Sequence, residues 1–283
     1  MPGLRFEAIA AFVVLFGAAM AHPLHAQAPG LGASVELVDE KVLRVCADPN
    51  DLPYSNEKGE GFENKIAQLL GEKLNKPVAY TWFPQVIGFI RNTLGSYRCD
   101  VIIGVPQGYD LAQNTNAYYA TAYALVIKPN SGLDNVQTLE DPRLQDKRIG
   151  VVAGTPPATL MVADGLMAKA HPYPLTVDTR VASSSKAMID DLLSGQIDVG
   201  VLWGPIAGYE AKHASTPLTV VPLLKEPGST PMVFRMTMGV RQSDQAWKRT
   251  LNQFIAQNQD AIDGILRNYG VPLLDAQGKP VAQ

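Results

Sequence analysis

The stretch Leu94-Gly95-Ser96-Tyr97-Arg98-Cys99-Asp100-Val101 recurs in outline at Leu192-Leu193-Ser194-Gly195-Gln196-Ile197-Asp198-Val199. Each runs from a leucine through a Gly-containing turn to Asp-Val, the corner at which a helix gives way to a strand. Two such corners, about a hundred residues apart, point to two lobes of like construction. Upstream of the first corner, Leu43 to Ala47 reads as a buried strand, and Pro49, Asn50, Asp51 and Pro53 as a loop. A turn at Gly59 to Gly61 precedes Phe62, Ile66, Leu69, Leu70 and Leu74 at helical spacing. Val78 to Trp82 is a further strand, Ile87, Ile90 and Leu94 mark a helix, and Asp100 to Val105 closes the unit. The second unit starts over: strand Arg148 to Val152, helix Ala158 to Ala170, helix Met188 to Leu193, strand Gln196 to Val201. A strand from Val233 to Val240 and two helical stretches (Trp247, Leu251, Phe254; then Ile262, Leu266) end the chain. This βαβα order predicts an α/β protein with a mostly parallel sheet and helices on both faces.

The 283 residues are 46% hydrophobic and 18% charged, which excludes a disordered or fibrous chain. A net charge of −3, with no run of Lys or Arg, argues against nucleic acid as a partner. Arg5, the apolar run Ala8 to Met20, and small-residue sites at Ala19-Met20-Ala21 and Leu24-His25-Ala26 read as a secretory signal peptide over residues 1–26. That run is shorter than the ~20 residues a spanning helix needs, so no membrane insertion is expected after its removal. Export makes a single bridge the expected state of Cys46 and Cys99, with two buried free thiols as the alternative. The bridge would close a loop of about 50 residues and contribute roughly 3–4 kcal/mol in the chain-entropy model.

Ligands of α/β sheets bind beyond the carboxyl ends of the strands, which places a cleft between the two lobes. The segments Asp48 to Tyr54, Pro106 to Tyr109, Gly154 to Pro157 and Trp203 to Pro205 are expected to line it. The candidate cleft residues are therefore Asp48, Asn50, Tyr54, Glu63, Trp82, Pro106, Gln107, Tyr109, Tyr119, Thr155 and Trp203.

Leu43 to Asp48, Gly61-Phe62-Glu63-Asn64 and Leu192 to Val199 resemble solute-binding proteins of the periplasmic type II class, over about residues 42 to 270. Within that class, four blocks are similar to the MxaJ/XoxJ group, binding-protein-like partners of quinoprotein methanol dehydrogenases. The blocks are Val45 to Asn56, Gly61 to Ile66, Trp82-x-Pro84-Gln85-x-x-Gly88-Phe89-x-Arg91-x-Thr93-Leu94, and Cys99-Asp100-Val101-x-x-Gly104-Val105-Pro106. The sequence departs from the pattern at Val86-Ile87, where a basic pair is expected. The resemblance implies two lobes joined by a two-strand hinge, residues 42–127 with 232–275 forming one and 128–231 the other. It also implies a periplasmic accessory protein for a PQQ-dependent methanol dehydrogenase and its cytochrome c, acting in maturation or activation, not itself an enzyme and holding no cofactor.

Amino-acid binders of the class clamp the ligand carboxylate with an Arg in the loop after the strand equivalent to Asp100–Val105, because guanidinium recognises carboxylate in bidentate fashion. Here no Arg occurs between Arg98 and Arg143, and Trp203-Gly204-Pro205 stands where an acid would hold the amino group. Burying an unpaired zwitterion costs several kcal/mol, so a free amino acid is not the expected ligand. The alternatives are a transport receptor for an uncharged or aromatic solute, stacked on Tyr54, Trp82, Tyr109, Tyr119 and Trp203, and a dehydratase-type enzyme.

No metal site is expected. His22 and His25 fall in the signal region, His171 and His213 stand far apart, and an EF-hand counted from Asp48 puts Leu52 and Gly59 where oxygen ligands are required. Ser183-Ser184-Ser185-Lys186 has Ser-x-x-Lys spacing without the companion motifs of that chemistry, and reads as a helix N-cap. Gly59-Glu60-Gly61 lacks the third glycine of a dinucleotide loop. Glu63 is the one acid placed to act as a general acid; a solvated first-turn Glu favoured by the helix dipole is the simpler reading.

Overall fold

A computed structural model describes residues 36–179 and 181–281; the signal peptide expected over residues 1–26 lies outside them. The first unit comprises β1 (Leu43–Ala47), a hairpin of β2 (Asn50–Asp51) and β3 (Ser55–Asn56), α1 (Phe62–Leu74), β4 (Val78–Trp82), α2 (Phe89–Asn92) and β5 (Val101–Pro106). A strand of 15 residues, β6 (Gln113–Ile127), leads to the second unit. There β7 (Ile149–Val152), α3 (Pro156–Ala163), β8 (Ala170–Tyr173), α4 (Ser184–Ser194), β9 (Val199–Trp203), α5 (Gly204–His213) and β10 (Thr219–Pro222) follow. The chain returns through β11 (Val233–Val240) to α6 (Gln245–Asn268).

The strands form one path, β4-β1-β5-β11-β6-β9-β7-β8, with β10 on β6. Parallel pairing is confined to β1 with β4 and β5, and to β7 with β8 and β9. Between these triplets, β11 and β6 run antiparallel to their neighbours, so the expectation of a mostly parallel sheet is corrected to a mixed one. The reason is topological. β6 and β11 are the two strands that carry the chain between lobes, and strands running opposite ways between two bodies pair antiparallel.

Alternation along each strand feeds a core on either face. In the first lobe Leu43, Val45, Val101 and Ile103 pack with Phe62, Ile66 and Leu70 of α1 and with Trp247, Leu251 and Phe254 of α6. Cys46 and Ile102 point the other way, onto Phe89, Ile90 and Leu94. In the second lobe Leu125 and Ile127 join Ile149, Val151 and Met161, whereas Ala124 and Val126 join Met188, Ile189 and Leu192 of α4. Cys46 and Cys99 are bridged, with their Cα atoms 5.5 Å apart.

Two elements differ from expectation. The helix expected over Ala158 to Ala170 stops at Ala163, because Gly165 takes φ of 72° and residue 170 opens β8. The helix expected from Ile87 shrinks to four residues, and Ile87 itself is 100% exposed. The two expected C-terminal helical stretches fall on either side of a kink in α6 at Asn258, which has non-helical φ of −128° and whose side chain bonds the Phe254 carbonyl at 2.8 Å. Among the described residues no helix is long and apolar enough to cross a membrane.

Candidate ligand cleft

Two adjoining cavities, of about 660 and 920 Å³, lie between the lobes and share Asn50, Asp51, Pro106, Trp203 and Met236 on their walls. The first-lobe wall is acidic. Asp48, at the end of β1, is buried and satisfied: its Oδ1 accepts the Asn50 N–H at 2.8 Å and its Oδ2 the Gln85 N–H at 2.6 Å. Beside it stand Asp51, on the β2 hairpin, and Glu63, in the first turn of α1. Gly61 caps that helix because its Cα lies against the Tyr54 carbonyl, where no side chain fits. The Glu63 carboxylate lies against the backbone of β5, in the notch left by Gly104; a Cβ at that glycine would collide with Glu63 Oε1.

Desolvation dominates the electrostatics of this wall. It raises the Glu63 carboxyl to about 8, assisted by the charges of Asp51 and Asp48, and the Asp51 carboxyl to about 7, assisted by Asp48. A solvated first-turn Glu would titrate near its ordinary value, so that simpler expectation for Glu63 is corrected: the side chain faces the cavity.

The floor is aromatic. Tyr123 of β6, Trp203 at the end of β9 and Phe234 of β11 form a three-ring cluster with centroids 5.1 to 6.2 Å apart. The second-lobe wall is rich in hydroxyls that already have partners. Thr155 Oγ1 donates to the Val152 carbonyl at 2.6 Å, Ser184 Oγ to the Pro174 carbonyl at 2.6 Å, and Ser185 Oγ to Glu210 at 2.7 Å. Ser183 accepts the Lys186 N–H, the N-cap role expected of it, and Lys186 Nζ pairs with Asp190 at 3.1 Å. Across the mouth, Asn50 Nδ2 donates to the Thr179 carbonyl at 2.6 Å and ties the lobes together.

Of the candidates named from sequence, Asp48, Asn50, Tyr54, Glu63, Pro106, Thr155 and Trp203 lie on these walls. Four do not. Trp82 ends β4, the outermost strand of its lobe, and stacks on Tyr80 at 4.5 Å. Gln107 is exposed, its N–H bonded to the Arg235 carbonyl. Tyr109 follows a positive-φ glycine, Gly108, that turns the chain outward, and is 44% exposed. Tyr119 is buried beneath the floor, edge-on to Phe62 and Tyr118. Strand-end reasoning missed Tyr123, Phe234 and Met236, which come from the hinge strands, and the segment Leu175 to Thr179. Among the described residues lining the cleft there is no arginine, and no group of His, Cys, Asp and Glu is arranged to hold a metal ion.

The bilobed fold has known counterparts. No family model matches the chain. It is 29% identical over 275 residues to Protein MoxJ of Methylorubrum extorquens, covering 91% of each. The crystal structure of the periplasmic binding protein XoxJ from Methylobacterium extorquens AM1 is 42% identical, with a TM-score of 0.71 over 83% of this chain and 100% of that one. The chain belongs to the XoxJ/MxaJ family of periplasmic binding proteins. MxaJ from Methlophaga aminisulfidivorans superposes equally well, at TM-score 0.71 and 25% identity over 82% of this chain and 100% of that one. Membership of this family makes the protein periplasmic and its fold that of the type II binding proteins.

Proposed function

We propose that this XoxJ/MxaJ-type chain is a non-catalytic accessory protein of methanol oxidation. In this reading it acts by protein–protein contact on a PQQ-dependent methanol dehydrogenase, during its maturation or activation, alongside the cytochrome c of that system. The observation that carries the reading is the rim of the cleft. Leu52, Val86 and Ile87 on one lip are 37%, 48% and 100% exposed, and Leu175 on the other is 62% exposed. Clustered exposed apolar side chains around a groove mark a protein-contact surface. The apolar pair Val86-Ile87 stands where the resemblance predicted basic residues. In the same reading residues 1–26 direct export, residues 42–127 with 232–275 make one lobe and 128–231 the other.

Pull-down of apo and holo methanol dehydrogenase by the mature protein tests this. Association at micromolar concentration, weakened at least tenfold by Ile87→Asp, supports it. No association with either form, together with stabilisation by a small solute, favours the transport-receptor alternative.

A further inference from the structure

The two walls of the cleft are chemically opposite in what they leave unsatisfied. On the second-lobe side the hydroxyls of Thr155, Ser184 and Ser185 donate to local acceptors, and Lys186 is held by Asp190. On the first-lobe side no donor among the described residues hydrogen-bonds the carboxylate of Asp51 or Glu63, although both face the cavity. Desolvated carboxylates in folded proteins ordinarily have a partner, so two that converge on one cavity without any leave a place for a donor-bearing or cationic group. A second, independent feature, in the adjoining cavity that shares Asp51 and Trp203 with this one, points the same way. The rings of Tyr123, Trp203 and Phe234 form the floor, and aromatic faces attract a cation and accommodate its apolar substituents.

We propose that the cleft binds an organic cation: an amine or alkylated ammonium group seated beside Asp51 and Glu63, with its apolar body on the Tyr123–Trp203–Phe234 floor. Among the described residues no arginine lines the walls, and Thr155, Ser184 and Ser185 already donate to protein acceptors, so the probe that tests the seat carries no carboxylate. A metal ion is not the occupant, since the acidic groups are not arranged as a coordination set. Leu52, Val86 and Leu175 of the rim also line these cavities, but the ammonium seat uses Asp51, Glu63 and the ring floor. Ile87, the residue of the docking test, is not among the cavity linings, so the two readings fail independently.

The test is calorimetric titration and thermal shift of the mature protein at pH 8.5 with four probes: benzyltrimethylammonium, benzyl alcohol, benzoate and phenylalanine. Calcium chloride is a fifth addition. The expected result is that the ammonium compound binds at least tenfold more tightly than any of the other three organic probes and calcium gives no saturable shift. Glu63→Gln and Asp51→Asn, both isosteric and checked for native circular dichroism, each weaken the ammonium compound at least tenfold and leave benzyl alcohol unchanged. Trp203→Leu weakens both aromatic probes. The proposal is overturned if the ammonium compound shows no saturable binding, if it binds no better than benzyl alcohol or phenylalanine, if the two carboxylate variants leave it unaffected, or if calcium competes it away.

Discussion

The corners at Asp100 and Asp198 are wired alike and housed differently. In each, the aspartate N–H bonds the carbonyl of an arginine at the N-terminal end of the lobe's first strand: Asp100 to Arg44, the second residue of β1, at 2.8 Å, and Asp198 to Arg148, just before β7, at 2.9 Å. In each, the carboxylate returns to that arginine's guanidinium through two hydrogen bonds, at 2.7 and 2.8 Å in the first lobe and 2.6 and 3.1 Å in the second. Asp100 is then sealed in. Arg241, 6% exposed, bridges it to Asp244 at 2.7 Å on each side, and the Trp247 indole donates to its carbonyl at 2.9 Å. Asp198 stays at the surface, where the Arg148 guanidinium holds its carboxyl below the usual range. The local sequence therefore sets the wiring, and the C-terminal segment, whose Trp247, Leu251 and Phe254 join the first lobe's core, sets its energetic weight.

Arg241→Ala is the harshest test of that difference. It strands Asp244 and deprives Asp100 of one of two cations, and breaking a buried ion network typically costs about 3–5 kcal/mol. Urea denaturation is expected to show a loss at the upper end of that range. A loss below about 1 kcal/mol would make the two corners energetically equivalent. Next comes the bridge, which occurs at one corner only: Cys99 precedes Asp100, whereas Ile197, buried in the second lobe's core, occupies the matching position. Its span of 53 residues predicts about 4 kcal/mol in the chain-entropy model. Cys46→Ala/Cys99→Ala lowers the unfolding midpoint accordingly, and reductant has no further effect on that variant.

The asymmetry continues into the cleft, where the two carboxylates that burial raises furthest, Asp51 and Glu63, come from the first lobe's hairpin and helix. Glu63 holds its proton more tightly in the folded chain than in the unfolded one, with a folded value near 8 against an ordinary 4.5. Stability therefore falls as pH rises from about 4.5 through 8, and is flat beyond. Glu63→Gln, which mimics the protonated acid, is expected to flatten this slope and to raise Tm by several degrees at pH 9 while leaving it unchanged at pH 4.5. A wild-type Tm that rises across this interval in step with the variant would contradict the buried setting of that carboxylate.

What could be read from sequence follows from the same distinction between local and remote causes. β1, α1, β4 and β11 fall where periodicity put them, since each shows one face to one core. β6 was missed because its halves serve different cores: Tyr118 and Tyr119 join the first lobe's, Leu125 and Ile127 the second's, so no single alternation runs through it. The cleft residues it contributes were lost with it. Trp82 was misplaced because order along the chain does not reveal order across the sheet, and β4 is the edge. The unpartnered state of Glu63 and Asp51 depends on the Gly104 notch and on the hairpin's approach to α1, which are three-dimensional facts without a motif.

The smallest effect belongs to the second corner. Asp198→Ala removes a pair whose side chains are 50% and 34% exposed, and exposed pairs contribute about 0.2–1 kcal/mol. The backbone bond from residue 198 to the Arg148 carbonyl survives the substitution, so the β7–β9 register is kept, while the ion pair and the bond from the Arg148 N–H to the carboxylate, at 2.8 Å, are lost. The ion-pair part is screened: in 1 M salt, where the Debye length shrinks to about 3 Å, the difference from wild type should shrink. The Arg241→Ala deficit should persist in the same salt, because ions do not reach a network from which water is excluded. Equal salt sensitivity at both corners would mean that burial, rather than distinguishing them, leaves the two pairs electrostatically alike.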